Sequence, residues 1–206
     1  MPQVKTQARR DEILKAATKV FADKGYHETG IADIAAEMGS GHGTFYRYFK
    51  NKRDIFVHVI QEAADQITKG LMMEPPRLAS TVAEYRDQVA RWGDLFFELF
   101  ASSMDRAKLL IQEAPAVDEE MRQMVLRLWE LGGSLTEAYL VNGKKRGFLR
   151  ENLDTNLTAK AINAMAMGGM LEVLYAEDPT AVKDRWRDAV VALVFDGISA
   201  TDGNNP

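Results

Sequence analysis

An all-α fold is predicted by three features of the 206-residue sequence. Apolar side chains recur every three or four positions along its long segments, strand-type alternation is nowhere sustained, and prolines (Pro2, Pro75, Pro76, Pro115, Pro179, Pro206) punctuate the pattern. A chain of this length buries roughly 70% of its unfolded surface on folding, and 46% of its residues are hydrophobic, so it is neither a disordered tail nor a miniprotein that needs staples.

The first helix carries Ile13, Leu14, Ala17, Val20 and Phe21 on one side and closes at Gly25, a left-handed cap. A short second helix, opened by Thr29 or Gly30, runs from Ile31 to Met38 and stops at Gly39. After the turn Gly39-Ser40-Gly41, a third runs from about His42 to Phe49, with Phe45 and Phe49 one turn apart and directed at Ile34, Ala35 and Met38. The fourth, Asp54 to Gly70, bears the stripe Ile55, Phe56, Val59, Ile60, Ala63 and Ile67. Val82, Tyr85, Val89, Trp92, Phe96 and Phe100 mark a fifth. Asp118, Glu119 and Glu120 read as the amino terminus of another, with Met121, Val125, Leu128 and Leu135 on one face, and Asn142-Gly143 and Gly147 break the pattern. The last two, Leu157 to Tyr175 and Val182 to Ile198, are apolar around most of their circumference and need cover on several sides. The ending TDGNNP reads as a frayed tail.

Charge is uneven. The formal net charge of -4 argues against a protein that coats polyanions with its whole surface. The first 53 residues are nevertheless net positive and the remainder net negative. From Met38 to Arg53 there is no acidic side chain, and Arg47, Lys50, Lys52 and Arg53 stand among Phe45, Tyr46, Tyr48 and Phe49. The chain has no cysteine, which removes disulfides, thiolate nucleophiles and Cys-ligated metals. Its amino terminus is charged where a signal peptide is apolar, and no run approaches the ~18 uncharged residues of a membrane span. A soluble cytoplasmic protein is expected.

Enzymatic chemistry has little material. Of three histidines, His58 pairs at i,i+4 with Glu62, which is two ligands and too few for a metal site. The glycines of Gly39-Ser40-Gly41 and Gly41-His42-Gly43 follow no strand, so they form no dinucleotide fingerprint. No catalytic residue, metal or cofactor is expected.

Two short helices joined by a glycine turn and braced by the first make a trihelical helix-turn-helix over residues 1–53. At ~100° per residue, burying Phe45 and Phe49 turns Gly43, Thr44 and Arg47 outward and leaves His42, Tyr46 and Tyr48 on the flanks. That face suits a major groove. Gly43 admits a close backbone approach, Thr44 brings a hydroxyl and a methyl, and Arg47 brings a bidentate fork for guanine or phosphate. Tyrosine hydroxyls reach phosphate oxygens, and Lys52 adds a cation at the start of the next helix.

The run RRDEILKAATKVFADKGYHETGIADIAAEMG, followed by GTFYRYFKNKRDIF, resembles the TetR family of bacterial transcriptional regulators over residues 9 to 56. The resemblance implies that the third helix reads an operator half-site, with Thr29, His42, Gly43, Thr44, Tyr46, Arg47, Tyr48 and Lys52 at contact positions; Ser40, in the turn, completes the expected set. Where the family usually has Gly-Val-Ser-Lys, this chain has Gly39-Ser40-Gly41-His42, losing an apolar turn residue, a hydroxyl cap and a cation. A glycine cap costs only a few tenths of a kcal/mol, so the helix is expected to survive with altered DNA affinity or base preference. Gly30 stands where a capping Ser or Thr is common, which leaves Thr29 as the expected cap.

The resemblance also implies that residues 54–206 form a helical dimerisation and effector domain, with 54–71 as the linking helix. Trp92, Phe96, Phe100, Met121, Val125, Leu128, Trp129 and Met165 are the expected lining for an apolar or amphipathic small molecule. Ala161, Gly168 and Gly169 supply small surfaces, and Val190, Leu193 and Val194 bulk, for a four-helix interface of a homodimer, the alternative being a core within the chain. Its two reading heads, ~34 Å apart, demand a near-palindromic site of double-stranded DNA. The expected function is a ligand-responsive repressor; the alternative is a helical small-molecule binding protein or enzyme that keeps the amino-terminal module without DNA affinity.

Overall fold

The computed structural model describes residues 2–73, 79–101 and 104–197, apart from the side chains of 2–5, 71, 96 and 99–101. The described residues hold helices and no strand: α1 Pro2–Lys24, α2 Ile31–Glu37, α3 His42–Tyr46, α4 Lys52–Leu71, α5 Val82–Ala101, α6 Met104–Lys108, a π-helical turn Leu109–Glu113, α7 Ala114–Val117, α8 Glu119–Lys145, α9 Thr155–Tyr175 and α10 Pro179–Phe195. The protein is all-α, as its periodicity predicts. The TDGNNP ending, Pro75 and Pro76 lie outside the described residues.

Helix ends follow local chemistry. Gly25 leaves α1 at φ +82 while its N–H still donates to the Phe21 carbonyl at 2.8 Å, and Gly39 turns the chain after α2 at φ +61. The expected Thr29 cap is not formed. Thr29 is 2% exposed and its hydroxyl donates to the Gly25 carbonyl at 2.7 Å, closing the end of α1 instead. The amino terminus of α2 is held by Asp33, whose carboxylate accepts the Gly30 N–H at 2.7 Å and the Lys24 ammonium at 2.6 Å. Helix α3 is shorter than expected, yet Phe49 N–H still donates to the Phe45 carbonyl at 3.1 Å, so both rings stay on one side.

The Asn142-Gly143 pair does not end α8, which continues to Lys145. Gly143 is buried, and a Cβ there would fall 2.5 Å from the Leu149 side chain, so the glycine admits the returning chain rather than turning it. The turn itself comes at Gly147, φ +76. Asp118, Asp154 and Asp178 cap α8, α9 and α10 by accepting N–H groups of Met121, Leu157 and Ala181 at 2.9 to 3.1 Å.

Two compact units emerge: Met1–Gly70 with Leu99–Glu130, and Leu71–Glu98 with Leu131–Pro206. The sequence suggests a division at 53/54; the first unit is instead discontinuous in the chain, because α4 and the 99–130 segment complete its core. That core gathers Ile13, Leu14, Phe21, Ile34, Phe45, Phe49, Phe56, Ile60, Leu109 and Met121, with Phe21 and Phe56 edge to face at 5.0 Å. In the second unit Tyr85 lies among Tyr139, Phe148 and Phe195 at ring distances of 5.5 to 6.2 Å. Burial pushes the Tyr85 phenol well above its ordinary pKa.

Candidate nucleic-acid interface

Phe45 and Phe49, each 1% exposed, anchor α3 and the following turn to the core of the first unit, their rings 5.8 Å apart. With that side fixed, His42, Gly43, Tyr46 and Arg47 are exposed, Tyr46 at 59%, while Thr44 and Tyr48 are half-buried. A Cβ added at Gly41 or Gly43 would meet nothing within 4 Å, so the approach to the start of α3 is open to a bulky partner. His42, Gly43, Thr44, Tyr46, Arg47 and Tyr48 thus come together as the sequence suggests.

Three other expected contacts are differently placed. Thr29 faces inward on the Gly25 carbonyl and is no groove residue in this geometry. The Ser40 hydroxyl is buried, with no hydrogen-bond partner among the described residues, while its N–H donates to the Ala35 carbonyl at 3.0 Å. The Lys52 ammonium donates to the carbonyls of Tyr26 (2.8 Å) and His27 (3.1 Å) and lies 4.5 Å over the Tyr26 ring. Lys52 therefore braces the α1–α2 turn, and only what remains of its charge is open to a phosphate.

Several other cations of this unit have a carboxylate. Arg9 pairs with Glu12 (2.6 Å), Lys19 with Glu37 (2.5 Å), Lys24 with Asp33 (2.6 Å) and Arg53 with both Asp118 and Glu120 (2.7 Å each). These pairings hold Asp33 and Asp118 below the usual carboxylate range, Asp33 chiefly through the Lys24 ammonium and Asp118 chiefly through the Arg53 guanidinium. Arg47, next to α3, has no such partner among the described residues and is exposed.

Two clamps were not legible in the sequence. Glu113, at the end of the π-helical turn, accepts the Tyr26 N–H at 2.8 Å, and Lys108 donates to the Ala22 carbonyl at 2.5 Å. Both close the open backbone groups where α1 ends. No sequence pattern marks them, because each reaches main-chain atoms more than eighty positions away.

Residues 13–59 match the family model described as bacterial regulatory proteins, tetR family. That stretch contains all of α2, α3 and the glycine turns whose geometry is set out above. Residues 13–59 are thus a DNA-binding module of the tetR type. It is 27% identical over 151 residues to the fatty acid metabolism regulator protein of Bacillus subtilis (strain 168), covering 73% of this chain and 76% of that one. In fold it is similar to the TetR family regulator PfmR from Thermus thermophilus (TM-score 0.71, 21% identity, 93% of this chain and 97% of that one). It is likewise similar to the transcriptional regulator FadR from Bacillus subtilis in complex with stearoyl-CoA (TM-score 0.65, 23% identity, 91% and 98%).

The effector residues expected for a TetR protein are distributed over both units. Met121 and Val125 are buried in the first, and Leu128 and Trp129 are half-buried there. In the second, Trp92 donates its indole N–H to the Tyr139 hydroxyl at 2.9 Å, and Met165 is half-buried. The side chains of Phe96 and Phe100 lie outside the described residues.

Of the expected dimer residues, Gly168 and Gly169 are used within the chain. Trp186 of α10 packs directly on them and donates to the Met165 carbonyl at 3.1 Å, so these glycines permit α9 to approach α10 closely. Ala161 and Leu193 are exposed, Leu193 at 44%, and Val190 and Val194 are half-buried. Among the described residues no group of three or more His, Asp or Glu is arranged to hold a metal, and no helix is long and apolar enough to cross a membrane.

Proposed function

We propose that this protein is a homodimeric repressor of the TetR family that inserts α3 into the major groove of a near-palindromic operator and is released by a small molecule with a long apolar chain. The observation that carries the reading is the division of α3: Phe45 is locked inward while His42, Gly43, Tyr46 and Arg47 face solvent with no carboxylate between Met38 and Arg53. Arg47 supplies a bidentate donor for guanine O6 and N7, and the tyrosine hydroxyls position the helix on phosphates.

Dimerisation is supported by what α9 and α10 leave uncovered. Leu157, Leu171, Tyr175 and Leu193 are all exposed large apolar side chains on these two helices, Tyr175 at 72%. A second copy packed there would provide the second reading head that a palindrome requires.

The effector class rests on two similarities: the Bacillus subtilis relative is named for fatty acid metabolism, and a solved structure of the same fold holds stearoyl-CoA. A long-chain acyl thioester belongs to the class of apolar or amphipathic small molecules expected from the sequence. Its binding would favour a dimer conformation whose heads no longer fit the half-site spacing, and α4, which carries Arg53 and Lys52 at its start, is the mechanical link.

Titration of a fluorescent duplex from the gene's own promoter region tests this reading. Expected is binding that weakens steeply with salt, is displaced only poorly by random duplex, and is reversed by palmitoyl-CoA but not by coenzyme A alone. A folded dimer that binds no promoter fragment at any salt would overturn the regulator and leave the small-molecule binder. Binding that acyl-CoA does not reverse would overturn only the effector class.

A further inference from the structure

Arg10 stands apart from the paired cations around it. It occupies α1 one turn before Leu14, on the side that Leu14 and Ala17 bury, but beyond the edge of the core. Its guanidinium lies 5.3 Å from the centroid of the Phe49 ring. The two acids that follow it in the chain are otherwise engaged, Asp11 with Gln7 at 2.8 Å and Glu12 with Arg9 at 2.6 Å. No carboxylate lies within ion-pair distance of Arg10 among the described residues, so its charge is oriented but not neutralised.

Phe49 is the residue that fixes this orientation. It is 1% exposed, wedged against Phe45 of α3 at 5.8 Å and against His58 of α4 at 5.4 Å, and it is flanked in the chain by Tyr48 and the exposed Lys50. The nearest acid along the chain, Asp54, is already occupied: it accepts the Lys50 N–H at 2.8 Å and faces the His58 ring. A guanidinium placed over that ring is thus held close to the residue at which the chain leaves α3. A guanidinium held over an aromatic ring is attracted by it and keeps its planar fork, so less freedom is lost when it meets an oxyanion.

We propose that Arg10 is a phosphate-binding residue of the operator complex, a preorganised clamp that grips the DNA backbone where the chain leaves α3. The proposal rests on the reading of α3 as the groove-entering helix. It adds a contact from α1 that is independent of base sequence. Because Arg10 neutralises a phosphate rather than reading a base, it acts equally on operator and random DNA.

The test is the salt dependence of binding for the full-length dimer, measured by anisotropy on the promoter duplex and on a random duplex of equal length. Expected for Arg10→Gln is a roughly 3- to 10-fold loss of affinity on both duplexes, with the slope of log K against log salt shallower by about one. Arg10→Lys is expected to keep the parent slope, since the charge remains, while losing part of the affinity with the fork. A parent that binds promoter DNA and an Arg10→Gln variant that binds with the parent slope would overturn the clamp alone, including the case in which affinity and melting temperature fall together. A parent that binds neither duplex would overturn the groove reading itself.

Discussion

At the scale of single residues, the interface is defined by which polar groups the fold has already committed. Lys52, Arg53, Lys24 and Lys19 are held by carbonyls or carboxylates, and Thr29 by the Gly25 carbonyl, whereas Arg47 and Tyr46 are exposed. Arg47→Ala is therefore expected to weaken operator binding by ~1 to 3 kcal/mol and to relax base preference, while leaving the melting temperature unchanged. Competition of the variant between promoter and random duplex measures this, and undiminished discrimination would move base reading to another side chain. This partition was only half legible in the sequence. The hydrophobic spacing of Phe45 and Phe49 with Ile34 predicts which side of α3 faces out, because burial of two large rings dominates so short a helix. The capture of Lys52 could not be read, since its partners are the main-chain carbonyls of Tyr26 and His27, far back in the chain and unmarked by residue type.

Helices and their junctions bring in caps and close approaches. The Asp33 carboxylate ties α2 to the end of α1 through Gly30 and Lys24, and its pKa is depressed first by the Lys24 ammonium and then by the Gly30 amide. A carboxyl whose folded pKa is depressed contributes stability above its unfolded pKa of ~3.9, and loses that contribution as the pH falls through the folded value. Asp33→Asn should thus melt below the parent at pH 7, with the gap closing as the pH drops below about 4. A gap that stays constant from about pH 7 to about pH 3 would show that charge at Asp33 is not what holds the junction; because the pair is exposed, screening keeps the effect modest. Gly169 tests the other kind of junction. A Cβ there would fall well inside van der Waals contact with the Trp186 ring, which its own hydrogen bond to Met165 keeps from yielding. Gly169→Ala is expected to cost ~1 to 3 kcal/mol by overpacking, whereas Gly133→Ala, in α8 with nothing within 4 Å of the new methyl, should be neutral or stabilise by up to ~1 kcal/mol. Thermal melts of the two variants read the contrast. The small residues of α9 do signal close helix approach in the sequence, but composition cannot say whose helix approaches; Trp186 of the same chain is the answer here. Asn142-Gly143 misleads for a related reason, since the pair has the composition of a turn but serves to admit Leu149.

At the scale of the whole molecule, the question is what covers the outer sides of α9 and α10. Their inner sides meet through Gly169 and Trp186, and α10 has no fully buried residue in the single chain, although Leu193, Val190 and Val194 lie along it. An apolar helix left half-covered in water is a cost that a second copy removes, since homodimer interfaces of ~1,200 Å² or more bury just such surfaces. Leu193→Glu places a charge at a position that is 44% exposed in one chain, so the folded monomer tolerates it while a packed interface does not. The variant should sediment as a monomer with the parent's helical circular dichroism. It should also lose most operator affinity, because one reading head cannot collect the second half-site's contacts. A dimer that persists with Leu193→Glu puts the interface elsewhere. A monomer that still binds the operator at parent affinity means that pairing of the heads, and hence their spacing, is not what an effector must change to release DNA.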